Sequence, residues 1–480
     1  MSQDTLEAQT KPRKRQLKMP HAYVILAAVV ALMSVLTHVI PAGAYERVVN
    51  ELGVKVLDPN SFHLVESAPV TVMQFLTSIP RGFVEAGWVV ALCFFVGAGF
   101  EVITRIGLIP TMVEGLAVRF QDKKIMIIPI LILVFATIDA FIGTPELIVV
   151  YVPIVLPLML RLGFDSITGV AVVLCGSAAG FSAGITNPFT IAIGQKLSGL
   201  PLYSGWQFRI VTFFITWLIA VAYVMRYARK IQKDPTKSPT YLADIDARAK
   251  IIADAAGGPG MNHRLDLRQK IAGFFSLAIF GGMIFGMIML NWDLPEMCAA
   301  FLIIGIGSAL IARMDIDTMC ETLTQGAQSM MVGALVIGIS RAISVVMTDG
   351  KIIDPIVHAL ASALTQLPQG ITIFGVLIAV TLLNFLIPSG SGKAVVLFPI
   401  LAPLADVIGV TRQTMVTTFQ LGDGFTLYLW PTVGYFMAAI AIAKVSYVKW
   451  VKFYFPLALI FLTAAMVYLM VAQAIHFGPF

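Results

Sequence analysis

The side chains best suited to chemistry lie in four short runs of small and polar residues set in apolar sequence. They are Gly143-Thr144-Pro145-Glu146, Gly180-Phe181-Ser182-Ala183-Gly184-Ile185-Thr186-Asn187-Pro188, Pro388-Ser389-Gly390-Ser391-Gly392-Lys393 and Gly422-Asp423-Gly424-Phe425-Thr426. Proline removes a helix hydrogen bond, and glycine tolerates the dihedrals that follow. A helix broken inside a bilayer exposes amides and carbonyls that lipid cannot satisfy, whereas a solute or coupling ion can. Glu146 and Asp423 are candidates for a cation, a proton or an ammonium group. Thr144, Pro145, Thr186, Asn187 and Thr426 offer hydrogen-bonding or chain-breaking groups beside them. Ser389, Gly390, Ser391 and Gly392 offer hydroxyls and free amides. Lys393 would either hold a substrate carboxylate or neutralise Asp423. A sodium ion near Glu146, Asn187, Ser389 and Asp423, or a proton, is the coupling species these groups could hold; no other cofactor is expected.

Other polar residues have plainer readings. Asp139 lies one helical turn before the first run, where it could stabilise that run or touch cargo. Glu101 and Arg105, four apart, read as a local ion pair. Arg341 would pair across the bundle or snorkel. His21, His38, His63, His263, His358 and His476 are scattered and form no relay. Cys93, Cys175, Cys298 and Cys320 lack paired spacing and read as small hydrophobes.

The elements that must carry these residues are transmembrane helices. Of 480 residues, 58% are hydrophobic and 12% charged, about half the charge a soluble domain carries. Apolar runs recur at lengths that cross ~30 Å of hydrocarbon. The net charge of +6 comes from basic residues at the ends of those runs, a topology signal rather than a nucleic-acid one. Lys11, Arg13, Lys14, Arg15 and Lys18 place the N-terminus in the cytoplasm of a bacterial inner membrane, leading into a first span at about 22–40 rather than a cleaved leader. Residues 44–85 read as a mixed-charge outside loop. The one long polar linker, 226–270, is basic and therefore cytoplasmic.

That linker divides two similar halves. Tyr151-Val152-Pro153-Ile154-Val155-Leu156-Pro157-Leu158 matches Leu397-Phe398-Pro399-Ile400-Leu401-Ala402-Pro403-Leu404, with Gly163 against Gly409 beyond. The register stays near 245 residues, also pairing Gly176-Ser177 with Gly422-Asp423 and Asn187-Pro188 with Trp430-Pro431. Basic residues fall inside the first unit but flank the second, so the units sit in opposite senses. Both ends of 125–160 then face the cytoplasm, which makes this segment a re-entrant hairpin with its tip at 143–146; a second spans 371–404. The fold class is an all-α polytopic membrane protein of two inverted repeats with re-entrant hairpins and broken helices. Its expected parts are an N-terminal span and loop (1–85), a first repeat with a connecting helix (86–225), the linker (226–270), scaffold helices (271–328), a second repeat (329–443) and a C-terminal helix (444–480). Each hairpin tip should lie against the break in the helix that follows it.

The second hairpin and the helix after it resemble a known family. Ser389-Gly390-Ser391-Gly392, Pro399, Leu401-Ala402-Pro403-Leu404, Gly409-Val410-Thr411-Arg412-Gln413 and Gln420-Leu421-Gly422-Asp423-Gly424-Phe425 are similar to the YfcC-type transporters. These belong with the C4-dicarboxylate anaerobic carriers and arginine/ornithine exchangers of the ion transporter superfamily. The resemblance covers nearly the whole chain and implies a scaffold, a mobile transport domain, elevator-type movement and a homodimer. One departure is that the first tip often carries an acidic pair in such proteins, whereas Thr144-Pro145-Glu146 supplies one acid.

The resulting expectation is a secondary transporter of a small charged organic solute, lipid-embedded and without nucleic-acid partners. A solute with both charges, such as an amino acid, including a basic one that is exchanged, suits the mixed site chemistry; a cation-coupled C4-dicarboxylate is the alternative. A passive channel is the remote one. An intramembrane protease would need a second catalytic aspartate or a histidine near the serines, and neither is apparent.

Overall fold

The structure, a computed structural model, describes residues 22–49, 55–120, 122–257, 265–290 and 292–478. The basic residues Lys11, Arg13, Lys14, Arg15 and Lys18, with His21, His263 and Arg264, lie outside the described residues. Among the described residues, ten helices are long and apolar enough to cross a membrane.

Helix α1 (Ala22–Leu36) leads to four short strands, β1 (Gly43–Ala44), β2 (Arg47–Val49), β3 (Lys55–Leu57) and β4 (His63–Leu64). β1 pairs with β4 and β2 with β3, both antiparallel. The segment 44–85, expected to be one loop, ends instead in helix α2 (Val72–Glu85). A capping box starts this helix: Gln74 N donates to Thr71 Oγ1 at 3.3 Å, and Thr71 N donates to Gln74 Oε1 at 2.9 Å.

Helices α3 (Gly87–Arg105) and α4 (Leu108–Arg119) follow, then α5 (Ile127–Ile142) and α6 (Ile148–Arg161), which form the first hairpin. Next come α7 (Ser166–Ala183), α8 (Ile191–Leu197) and α9 (Trp206–Lys233). The linker contains α10 (Tyr241–Gly257), and α11 (Leu267–Met289) and α12 (Leu294–Ile311) return through apolar sequence. The second half runs through α13 (Ile316–Ser329), α14 (Met331–Asp349), α15 (Ile353–Thr365), α16 (Gln369–Leu386), α17 (Gly390–Val407), α18 (Arg412–Thr426), α19 (Gly434–Ile442) and α20 (Tyr447–Ala474).

The order α2 to α9 recurs as α13 to α20, displaced by 244 residues at both Val72/Ile316 and Gly87/Met331. The packing is reciprocal. α3 lies on α13 as α14 lies on α2, and α6 lies on α19 as α17 lies on α8. Polar pairs correspond too: Arg81 pairs with Asp349, and Arg105 Nη1 donates to Gln325 Oε1 at 3.4 Å. Arg105 therefore reaches across to α13, and no Glu101–Arg105 ion pair forms among the described residues. Close α3–α13 contact explains this, since Glu101 Cβ lies 2.7 Å from where a Cβ on Gly326 would stand.

The described part of the linker, up to residue 257, is helical and docked. Asp165 caps α7 through Thr168 N (2.9 Å) and accepts from Tyr227 Oη (2.7 Å) and Ser238 Oγ (2.6 Å). Asp244 on α10 accepts from Ser166 N at 3.1 Å and Thr240 Oγ1 at 2.7 Å. Burial pushes the Asp244 carboxyl above its ordinary pKa, partly offset by these donors.

At the centre, α7 and α18 cross. Every residue of α7 is buried, and so is α18 from Gln413 to Thr426. An all-buried helix needs small faces where backbones meet. A Cβ on Gly180 would stand 1.9 Å from the Ala136 carbonyl oxygen, and one on Gly424 would stand 2.8 Å from Ser182 Cα. These glycines let α5, α7 and α18 touch backbone to backbone.

Gly180→Ala should therefore cost about 1–3 kcal/mol by overpacking, read as a lower melting temperature in detergent. Gly115→Ala, where a Cβ meets open space, should leave it unchanged. Equal melting temperatures for the two variants would contradict this packing.

Candidate functional site

The first tip begins where α5 ends. Gly143 takes φ +71°, the left-handed conformation that suits glycine, and its N–H donates to Asp139 O at 3.0 Å. Thr144 and a short 3-10 turn, Pro145–Leu147, then start α6. The tip docks on the break after α7 as expected: Thr186 N donates to Ala140 O at 3.1 Å and Thr186 Oγ1 to Phe141 O at 3.2 Å. The Asn187 amide fills the space that a side chain on Gly143 would need. Asn187 Oδ1 accepts from Phe189 N (2.9 Å) and Thr190 N (3.2 Å), while its Nδ2 has no protein partner.

The second tip is tighter than expected. The chain breaks at 387–389, and Gly390, Ser391, Gly392 and Lys393 already form the first turn of α17. Ser389 caps that turn, accepting from Gly392 N at 3.2 Å. The second break is displaced as well. Gly422 to Thr426, predicted to interrupt the helix, are helical and buried; the interruption lies beyond, in the 3-10 turn Leu427–Leu429 and at 430–433. The physical reason is packing, since a Cβ on Gly422 would lie 2.9 Å from Leu377 O. Tip and break again meet, with Phe385 and Trp430 rings 5.6 Å apart and Thr432 Oγ1 donating to Asn384 O at 3.5 Å.

Lys393 resolves into one of its two readings. Its Nζ lies 2.8 Å from Asp423 Oδ1, both side chains are fully buried, and it also donates to Asn384 Oδ1. Asn384 Nδ2 in turn donates to Asp423 O (2.8 Å) and Thr426 Oγ1 (2.9 Å). Asn384 was not anticipated; the available signal was a lone amide one turn before Pro388 in an apolar run.

Around this pair the two half-sites converge. A Cβ on Gly390 would stand 2.9 Å from both Asp423 Oδ2 and Thr190 Cγ2, so the second tip reaches the first break. Glu146 lies within electrostatic range of Asp423. Buried polar atoms without a protein partner concentrate here: Thr144 Oγ1, Ser182 Oγ, Asn187 Nδ2, Thr190 Oγ1, Gln420 Oε1 and Asp423 Oδ2. Buried polar groups are ordinarily paired, so such a cluster has capacity for a polar guest.

Two further residues hold the breaks from outside the cluster. Buried Arg209 on α9 donates through Nη2 to Ile185 O at 3.1 Å, and Trp450 on α20 donates through Nε1 to Tyr428 O at 2.8 Å. Each side chain caps a carbonyl freed by its own half's break. Arg341 and His358 are not brought to the site: Arg341 pairs with Glu85 at 3.0 Å, and His358 stacks on Phe62 with centroids 3.9 Å apart.

Replacing Lys393 with methionine leaves the Asp423 charge buried and unpaired, which costs about 3–5 kcal/mol. Thermal unfolding should show Lys393→Met strongly destabilised and Lys393→Met/Asp423→Asn restored toward wild type. A single variant as stable as the double would mean the pair is not ionised.

The chain is 30% identical to an Escherichia coli K12 protein named "Putative basic amino acid antiporter YfcC", over 92% of this chain and 94% of that one. It is 26% identical to a Haemophilus influenzae protein over 93% and 95% of the two chains. Among solved structures, the Alcanivorax borkumensis YdaH transporter aligns with a TM-score of 0.42 and 16% identity over 96% of this chain and 100% of that one. Neisseria gonorrhoeae MtrF, whose class is described as antimetabolite efflux pumps, aligns with a TM-score of 0.42 and 16% identity over 95% of each. The family model for the C4-dicarboxylate anaerobic carriers, DcuC, matches residues 19–474, and the chain belongs to that family of membrane transporters.

Proposed function

We propose that this transporter exchanges a basic amino acid, bound between the two hairpin tips and the two helix breaks. The observation that carries the reading is the disposition of charge. Lys393 is committed to Asp423 and Asn384, so it is not free to hold a substrate carboxylate. Glu146 has no cationic protein partner among the described residues and sits in the first turn of a helical segment. A positively charged side chain of the cargo would supply the missing charge. The Asn187 and Thr190 groups, with the amides at the start of α17, suit its α-amino and carboxylate ends. The name of the Escherichia coli relative points the same way.

The recurrence of α2–α9 as α13–α20 supports two inverted repeats. Movement follows from the packing. α1 to α3 and α11 to α14 form one packed group and α5 to α9 with α16 to α20 another, joined chiefly through α14 on α19. In this reading the second group travels against the first as an elevator, in a homodimer of the bacterial inner membrane with a cytoplasmic N-terminus. The family description favours a second reading, cation-coupled C4-dicarboxylate transport, in which Glu146 and Asp423 would serve as ion ligands.

Counterflow in proteoliposomes separates the two. Labelled arginine uptake should depend on internal arginine or ornithine, and Glu146→Gln should reduce it at least tenfold. Succinate uptake driven by a sodium or proton gradient, without arginine counterflow, would establish the dicarboxylate reading instead.

A further inference from the structure

Asp139 is fully buried in the last turn of α5, and neither of its carboxyl oxygens has a protein hydrogen-bond partner. No other buried carboxylate among the described residues has both oxygens orphaned in this way. The reading of Glu146 as the cargo's cation site leaves Asp139 without a task.

Its surroundings hold no cation to balance a negative charge. The carbonyl end of α5 points toward it, and helix C-termini disfavour anions. Ala136 and Ala140 flank it, and the stacked Phe135–Tyr151 pair, with centroids 4.8 Å apart, lies on the same side of the hairpin. The groups that face it are neutral or acidic: Tyr151 on α6, Glu146 at the tip, Ser177 on α7, Tyr428 in the second break and Tyr435 on α19. Ser177 Oγ and Tyr428 Oη are bonded to each other at 2.5 Å. The titratable group of α7, Cys175, faces Tyr223 and Tyr454 instead. α9 also packs on α5, but its buried Arg209 is spent on carbonyl oxygens. Lys124, at the other end of α5, is about 22 Å away along the helix axis. An ionised carboxylate with no cation, and at most the Ser177 hydroxyl to donate to it, is costly at such a site, and a proton removes that cost.

We propose that Asp139 is the proton-binding site of this transporter. The empty carrier holds Asp139 as the neutral acid and Glu146 as the anion, because Glu146 sits at the start of a helical segment and Asp139 at the end of one. When a cationic group settles beside Glu146, its positive charge favours ionisation of the neighbouring Asp139, and one proton leaves. Proton and cationic cargo thus compete for one hairpin tip, so each binding of cargo releases a proton and each release of cargo takes one up. Two carboxyls with opposed environments divide the roles of proton carrier and cation ligand.

Infrared difference spectroscopy on the purified, substrate-free full chain tests the site independently of the cargo. Stepping from alkaline to acidic buffer should produce the carbonyl-stretch band of a neutral, buried carboxylic acid. Asp139→Asn should remove that band, Glu146→Gln should keep it, and Tyr428→Phe should shift it. A band that survives Asp139→Asn, or is lost in Glu146→Gln alone, overturns the assignment. If Asp139→Asn does not fold, the Tyr428→Phe shift still decides, because an unmoved band places the proton elsewhere. A pH-indicator dye in weak buffer then reads coupling: arginine should release about one proton per carrier bound, and none from Asp139→Asn. Release that persists in the variant also refutes the proposal. A confirmed infrared band with no arginine response would instead count against the basic amino acid reading and leave the proton site standing.

Discussion

The molecule depends on one contact, the crossing of α7 and α18. α7 is buried throughout and α18 from Gln413 to Thr426, so neither has a lipid-facing side to set its orientation. Their position comes from glycine and serine, which allow Gly424 to lie against Ser182 and Gly180 against Ala136. Thr190 from one break lies against the second tip, and Asp423 lies within electrostatic range of Glu146 at the first. A bulkier crossing would separate the two breaks into independent polar defects, each with backbone groups left unpaired.

Broken helices in apolar surroundings need their free carbonyls answered. Arg209 and Trp450 do this in corresponding ways, each from the long helix that closes its half. The chemistry differs although the geometry repeats. A guanidinium adds positive charge near the first break, where Asp139 and Glu146 lie without a lysine. An indole adds none near the second, where Lys393 already offsets Asp423. The second half thus pairs its acid directly, whereas in the first half Arg209 bonds carbonyl oxygens and pairs with neither acid.

Much of this was legible in the sequence, and the failures share a cause. Proline beside glycine at 143–146 and in the run 180–188 points to a break, although Gly180 to Ala183 of that run are helical and Pro153, Pro157, Pro399 and Pro403 lie inside helices; the spans need no partner to interpret. Glycine is ambiguous, because it either frees the backbone or admits a neighbour. Gly422 and Gly424 were read as a break, yet Leu377 and Ser182 show them admitting neighbours. The matched prolines of Asn187-Pro188 and Trp430-Pro431 held the better clue to the true position. Helix α2 escaped notice because it is short and amphipathic, with its capping box hidden in a polar stretch. The Lys393–Asp423–Asn384 knot joins residues up to 39 apart on three helices, and composition cannot disclose such a contact.

The central claim is that two tips and two breaks form one binding site. Single-particle cryo-electron microscopy of the full chain in lipid nanodiscs, with and without saturating arginine, examines it most directly. The account predicts added density between Glu146 and Asn187 that extends toward Thr190 and the start of α17, with the Lys393–Asp423 pair intact. Density lodged elsewhere, such as between α11 and α12, or a Lys393 side chain swung away from Asp423 onto the ligand, would contradict it.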